Sequence, residues 1–249
     1  MKIVLLGHDD LPSLYALQRV IEGAPHHDCV VLLSGDLAAA GEIPRDLQHL
    51  AAIDARLCAE LRATGRHARP LLEAATLPAP NSEAGQGVLE SLGPDLVVSI
   101  RYRRILRSEV IANPRLGVLN LHSGVLPDYK GVMATFWAML HNEAEIGATL
   151  HRIVDDGIDT GPVVGIRRLA ADYGATYLAN VLRLYGPGCD MVIRAIETLA
   201  TGETLRVAAQ RPGGRYFSTP RGPDVETFRK QGLVLANGLE MAEVECRKT

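Results

Sequence analysis

Short apolar runs recur along the chain, and each gives way to a turn residue and then to a stretch with helical spacing. KIVLL (2–6) stops at Gly7, and Leu14, Leu17, Gln18 and Ile21 then repeat at helical intervals. CVVLLSG (29–35) precedes DLQHLAAIDARLCAELRAT (46–64), where Ala and Leu recur every three or four residues up to Gly65. DLVVSI (95–100) and GVLNLH (117–122) are two more such runs. Runs this short and this uniformly apolar are strands buried on both faces, which occurs in parallel sheets covered by helices. Further on, the pattern predicts a helix at 132–141, strands near 147–154 and 162–169, and a helix around 176–201. The expected fold class is therefore α/β: a Rossmann-like, doubly wound, mostly parallel sheet. TLPAPNSEAGQG (76–87), with two prolines and two glycines, is expected to be loop.

The chain has 249 residues, enough for one large α/β domain with an appendage. After Gly202 the composition shifts to Gly-Gly, further prolines and clustered Arg, so residues 203–249 are expected to be a short β-rich C-terminal extension on a main domain of residues 1–202. At a net charge of −3, with no massed basic run, non-specific nucleic-acid binding is not expected. RYRRILR (101–107) is the densest basic stretch and reads as a solvated helix start. Cys29, Cys58, Cys189 and Cys246 are scattered without metal-ligand spacing, which suits a reduced, cytoplasmic protein with no metal. No run approaches the roughly 18 apolar residues of a membrane span, so no membrane partner is expected.

Three segments carry polar groups where a buried sheet would not ask for them. The first βα turn, Gly7-His8-Asp9-Asp10, keeps one glycine and places two aspartates where a phosphate would need positive charge. A dinucleotide fingerprint is therefore excluded, and Asp9 or Asp10 suits a helix N-cap. IVDDGIDTGPVV (153–164) has three aspartates but not the spacing of a calcium loop. It reads as an acidic turn at the sheet edge, where ligands of open α/β sheets bind. In GVLNLHSGVLPDYKG (117–131), Asn120 and His122 stand two residues apart and so share a strand face. A single His on an apolar strand is more often a satisfied structural residue. Together, an amide that donates and an imidazole that accepts a proton are the groups a developing oxyanion and its proton transfer require, and the acidic turn offers carboxylates to orient the ring.

LNLHSGVLPDYKG followed by GATLHRIVDDGIDTGPVV resembles the core of the folate-dependent formyltransferases, a family that includes glycinamide ribonucleotide, methionyl-tRNA and amino-sugar formyltransferases. The likeness is close over residues 95–165 and looser over 1–200, which makes 1–202 the expected formyltransferase catalytic domain. It implies a catalytic trio of Asn120, His122 and Asp159, the last chosen over Asp155 and Asp156 because it directly precedes Thr-Gly-Pro. It also implies N10-formyltetrahydrofolate as co-substrate, its ring held largely by backbone groups, of Tyr102, Arg104, Ile105 and Leu106 on one side and of Val154, Asp155, Asp156 and Ile158 on the other. Under this reading the basic stretch is a cofactor wall, with Ile105 and Leu106 its apolar part. Moving a formyl group between nitrogens passes through a tetrahedral oxyanion; Asn120 would stabilise it, while His122 with Asp159 would move the protons.

The acceptor is expected to be the amine of a small molecule met by His8, Asp9, Asp10, Tyr129 and Lys130. The short tail argues against the methionyl-tRNA branch, and the first loop, acidic and short of glycine, argues against the glycinamide ribonucleotide branch. A nucleotide-linked amino sugar ranks first, with Arg211, Arg215, Tyr216, Phe217 and Arg221 of the tail as candidate contacts or as a simple hydrophobic anchor. An amino acid or hydroxylamine, of the hydroxyornithine type in siderophore or natural-product biosynthesis, follows because Asp9 and Asp10 suit a cation. Hydrolysis of the co-substrate is a further alternative, and a homodimer is an expectation carried by the resemblance alone.

Overall fold

The computed structural model describes residues 1–35, 43–65 and 67–242; Cys246 and the end of the extension lie outside the described residues. Strands β1 (Lys2–Gly7), β2 (Asp28–Leu33), β3 (Ala75–Thr76), β4 (Leu96–Ile100) and β5 (Val118–His122) pair in parallel in the order β3-β2-β1-β4-β5. Beyond β5 the sheet turns antiparallel through β7 (Glu145–Ile153) and β8 (Val163–Ala170), giving seven strands. The expected doubly wound, mostly parallel sheet is therefore present.

Helices cover the two faces unequally. One face carries α1 (Leu11–Gly23), α2 (Arg45–Ala63), α6 (Ala134–Leu140) and α7 (Tyr177–Ala200), whose apolar residues join Ile3, Leu5, Val98, Leu119 and Leu121 in the larger core. The other face buries Val4, Leu6, Val97 and Val118 beneath Leu89 of α4 (Glu83–Leu92) and Val110 of α5 (Ser108–Ala112). The short α3 (Arg69–Leu72) precedes β3. Strand residues alternate between faces, so Ser99, Asn120 and His122 fall on the second, more thinly covered face.

Two expectations about local structure are corrected. The segment 76–87 is not all loop: Ser82 Oγ accepts from Gly85 N at 3.1 Å and starts α4. Gly85 sits in that helix because a Cβ there would lie 2.1 Å from the Ala79 carbonyl oxygen, so its role is close approach. The stretch 101–107 is not a helix start either, since α5 begins at Ser108 and Arg101 takes a left-handed φ of 59°.

The extension is not β-rich in its described part. It holds one three-residue strand, β9 (Arg215–Phe217), paired with β6 (Tyr129–Gly131), and one helix, α8 (Gly222–Lys230). Val225 and Phe228 of α8, with Leu233, Leu235 and Ala236, are buried in the larger core. The extension thus shares the core of the main sheet. Cys29, Cys58 and Cys189 are buried free thiols, and no helix among the described residues is long and apolar enough to cross a membrane.

Candidate active site

The site forms where β5 ends against β7. Their antiparallel register pairs Asn120 with His151 and His122 with Thr149, and directly paired residues share a face. Thr149 Oγ1 donates to the Gly124 carbonyl at 2.7 Å and accepts from Leu126 N at 3.2 Å, fixing the chain as it leaves β5. The Leu126–Pro127 peptide is cis, and the turn leads into β6, which returns over His122. From the other direction, the loop after β7 brings in Asp159 in a left-handed conformation, φ 54°.

Asp159 is the hub. Its Oδ2 accepts from Gly131 N at 2.8 Å and lies 3.5 Å from His122 Nδ1. Its Oδ1 accepts from Asn120 Nδ2 at 3.3 Å and lies 3.4 Å from His151 Nε2. Burial pushes this carboxyl upward, but His122, His151 and the Gly131 amide outweigh burial and hold it at about 2, so it is an anion at neutral pH.

The hydrogen bonds assign the hydrogens. His122 Nε2 lies 2.6 Å from the Tyr129 carbonyl, which can only accept, so Nε2 carries a hydrogen and Nδ1 is the ring nitrogen turned to Asp159. His151 Nδ1 likewise donates to the Arg152 carbonyl at 3.0 Å, while its Nε2 lies 3.0 Å from Asn120 Nδ2 and 3.4 Å from Asp159 Oδ1. His151 Nε2 and Asp159 Oδ1 are 3.4 Å apart, so both lie on one side of Asn120 Nδ2. A buried anion next to an imidazole nitrogen and a donating amide is suited to moving a proton and stabilising an oxyanion.

Asn120, His122 and Asp159 are brought together as expected, and His151 joins them as a fourth member that the sequence did not single out. Of the expected cofactor contacts, Tyr102 and Leu106 are buried with Val97 and Val118, and the Tyr102 hydroxyl donates to the Leu77 carbonyl. Their side chains belong to the core rather than to a wall. Arg104 donates to the Pro78 carbonyl at 2.6 Å, and Asp155 closes its own turn by accepting from Gly157 N at 2.9 Å. Asp156 is exposed, as are Ile105 (52%), Val154 (54%) and Ile158 (39%).

The expected acceptor contacts divide in the same way. His8 is buried, with Nδ1 2.9 Å from Ser34 Oγ. Asp9 pairs with Arg62. Asp10 is buried beneath Arg101 and Arg103 and caps α1 through Ser13 N at 3.0 Å. Both aspartates of the first loop are thus engaged by arginines, Asp9 at the surface and Asp10 in the interior. Tyr129 donates its hydroxyl to Glu143 at 2.7 Å, and its ring stacks on Phe217 at 5.3 Å. Lys130 Nζ lies 3.4 Å from the Gly213 carbonyl. In the tail, Phe217 anchors β9 between Tyr129 and Trp137, Arg211 pairs with Asp128, and Tyr216 remains 57% exposed.

Among the described residues no group of three or more His, Cys, Asp or Glu is placed to hold a metal ion. The sequence profile of the Formyl transferase family matches residues 45–179, the segment that carries all four site residues. The methionyl-tRNA formyltransferase of Mycolicibacterium gilvum (strain PYR-GCK) is 36% identical over 166 residues, 67% of this chain and 49% of that protein. The chain spans about half the length of the curated relatives it matches. A sugar N-formyltransferase from Shewanella sp FDAARGOS_354 superposes with a TM-score of 0.63 at 16% identity, covering 98% of this chain and 86% of that one. The formyltransferase PseJ from Anoxybacillus kamchatkensis, solved with UDP-4,6-dideoxy-4-formamido-L-AltNAc and tetrahydrofolate, superposes with a TM-score of 0.53 at 19% identity over 92% of this chain and 90% of that one. At such identities the superpositions speak for the fold, and the profile match speaks for the lineage: this chain belongs to the formyl transferase family.

Proposed function

We propose that the protein transfers a formyl group from N10-formyltetrahydrofolate to the amine of a small acceptor, with a nucleotide-linked amino sugar as the first candidate. The observation that carries this reading is the Asn120–His122–Asp159 cluster, with His122 and Asp159 buried, in a chain of this family. The residues fit the co-substrate. Ile105, after β4, and Val154 and Ile158, after β7, keep apolar side chains exposed, as the faces of a flat heteroaromatic ring require. PseJ, which shares the fold, was solved with tetrahydrofolate and a nucleotide-linked formamido sugar. The folate supplies the formyl carbon as electrophile.

The protein's own groups then divide the work. His122 takes the proton of the attacking amine, Asp159, already ionised, stabilises the imidazolium, and the same proton goes to the departing nitrogen as its bond to the formyl carbon breaks. Asp159 and His151 hold Asn120 Nδ2 from one side, and its other amide hydrogen is directed to the oxyanion. Asn120→Ala is expected to lower kcat roughly 10²–10³-fold, the scale for one oxyanion donor. Steady-state rates with the co-substrate saturating check this, and a change under threefold would remove Asn120 from the role.

The acceptor is identified by incubating the protein with N10-formyltetrahydrofolate and separate amines: nucleotide-linked amino sugars, amino acids, hydroxylamines and methionyl-tRNA, with a no-amine control. Mass spectrometry reads the formylated product, and absorbance reads release of tetrahydrofolate. A formamido sugar is the expected product. Turnover confined to methionyl-tRNA, or formate released without any amine, would overturn the sugar assignment.

A further inference from the structure

The extension touches the site at a residue that neither the sequence pattern nor the trio accounts for. Gln210 Nε2 donates to the Asp159 carbonyl at 2.9 Å and to the Gly161 carbonyl at 2.8 Å, spanning the turn that delivers Asp159. The amide can be oriented only one way, because its oxygen would otherwise face two carbonyls. In that orientation Oε1 is buried without a hydrogen-bond partner among the described residues. An unsatisfied buried acceptor is costly, so the two donations are what the side chain contributes at this position.

The turn needs holding. Asp159 is a non-glycine residue at φ 54°, a conformation that L residues adopt at a cost and keep only when their surroundings fix it. Gly161 is pressed so closely on β7 that a Cβ would lie 1.8 Å from the Arg152 carbonyl oxygen. Gly131 N fixes the Asp159 carboxylate from one side, and Gln210 fixes its backbone from the other. Gln210 is itself pinned. Ala208 and Val163 exchange two backbone bonds of 2.8 Å just before it, and β9 pairs with β6 just after it. The segment 208–217 therefore runs from the turn of Asp159 to the strand whose Tyr129 carbonyl holds His122.

We propose that Gln210 is a positioning residue of this active site: by clamping the 159–161 turn it sets the Asp159 carboxylate against His122 and Asn120. The proposal rests on the formyl-transfer reading for its kinetic consequence, but not for its structural one.

The test replaces Gln210 with methionine in the full chain, keeping length and volume while removing both donors. The Asp159 side-chain carboxyl is followed by ¹³C NMR as pH is lowered, with its signal assigned by its loss in Asp159→Asn. In the unsubstituted protein the midpoint is expected at about 2. In Gln210→Met it is expected to rise toward the ordinary 3.8, because Gly131, His122 and His151 no longer converge on the group. With an acceptor in hand, kcat is expected to fall on the order of 10–100-fold while KM stays within about threefold, as for a misplaced reacting group. An unmoved carboxyl midpoint overturns the proposal, and so does a raised KM with kcat unchanged. If no amine is ever formylated, the NMR titration alone decides, which separates failure of this inference from failure of the functional reading. Gln210→Asn, which keeps the amide but shortens its reach, serves as the second variant. Should both variants lose the fold, Gln210 is structural and the proposal fails.

Discussion

Alanine at position 159 is expected to lower kcat for formyl transfer roughly 10²–10⁴-fold while the protein still folds. The size follows from how many groups Asp159 serves. It faces Nδ1 of His122, accepts from Asn120 and anchors Gly131 N, so its loss removes the partner of the imidazolium and an acceptor that orients the amide together. Stability should register the change in a characteristic pH window. The folded carboxyl titrates at about 2 against an ordinary 3.8, so it contributes stability that is present above 3.8 and is lost as pH falls through about 2. That contribution is on the order of 2 kcal/mol at neutral pH, which a domain of ordinary stability survives. Urea unfolding at several pH values should therefore show wild type and Asp159→Ala well separated at pH 7 and converging near pH 2. Near-wild-type rates would remove Asp159 from the chemistry. Curves that stay parallel down to pH 2 would show that its charge is not held by the groups named here.

The sheet was legible in the sequence because four of its five parallel strands are short, largely apolar runs, whose burial needs no knowledge of their neighbours. Asn120 and His122 were legible because period-two alternation alone puts them on one face. Asp159 was legible only by its likeness to a family pattern, since nothing local separates it from Asp155 and Asp156. His151 was hidden for a different reason. Its place opposite Asn120 depends on the antiparallel register of β5 and β7, and one residue of slip would send it to the other face. The helix α4 was masked by Gly85, whose glycine serves a close approach to Ala79 rather than a break. The extension reads as β-rich because its glycines and prolines resemble the turns between strands, whereas Gly222 and Pro223 begin α8. The basic stretch looked solvated because its partner, Asp10, lies far back in the sequence in another turn.

That hidden pair carries the largest expected effect on stability: Asp10→Ala should destabilise the protein by about 3–5 kcal/mol. Asp10 is 4% exposed; it accepts from Arg101 Nε at 3.0 Å and from an Arg101 terminal nitrogen at 2.8 Å, receives Arg103 at 3.0 Å, and caps α1. Burial would raise its carboxyl, but the Arg101 guanidinium beside it, helped by Arg103, holds it below the ordinary value. Without it, Arg101 is left with a largely buried charge, its side chain only 21% exposed. Asp10→Asn should recover the cap but not the ion pair, and so should regain only the smaller part, about 1 kcal/mol. Asp54 supplies an internal check. Burial first, and then the Asp10 charge, push its carboxyl up to about 7, so folding binds a proton there between 3.8 and 7, and stability falls as pH rises through that range. Removing Asp10 takes away the repulsion and lets Asp54 ionise more readily toward Arg101, so this slope should flatten in Asp10→Ala. Denaturant midpoints at pH 5 and pH 8 measure both effects. A loss under 1 kcal/mol, or an unchanged slope, would mean that Arg101 is held by something other than the carboxylate that caps α1.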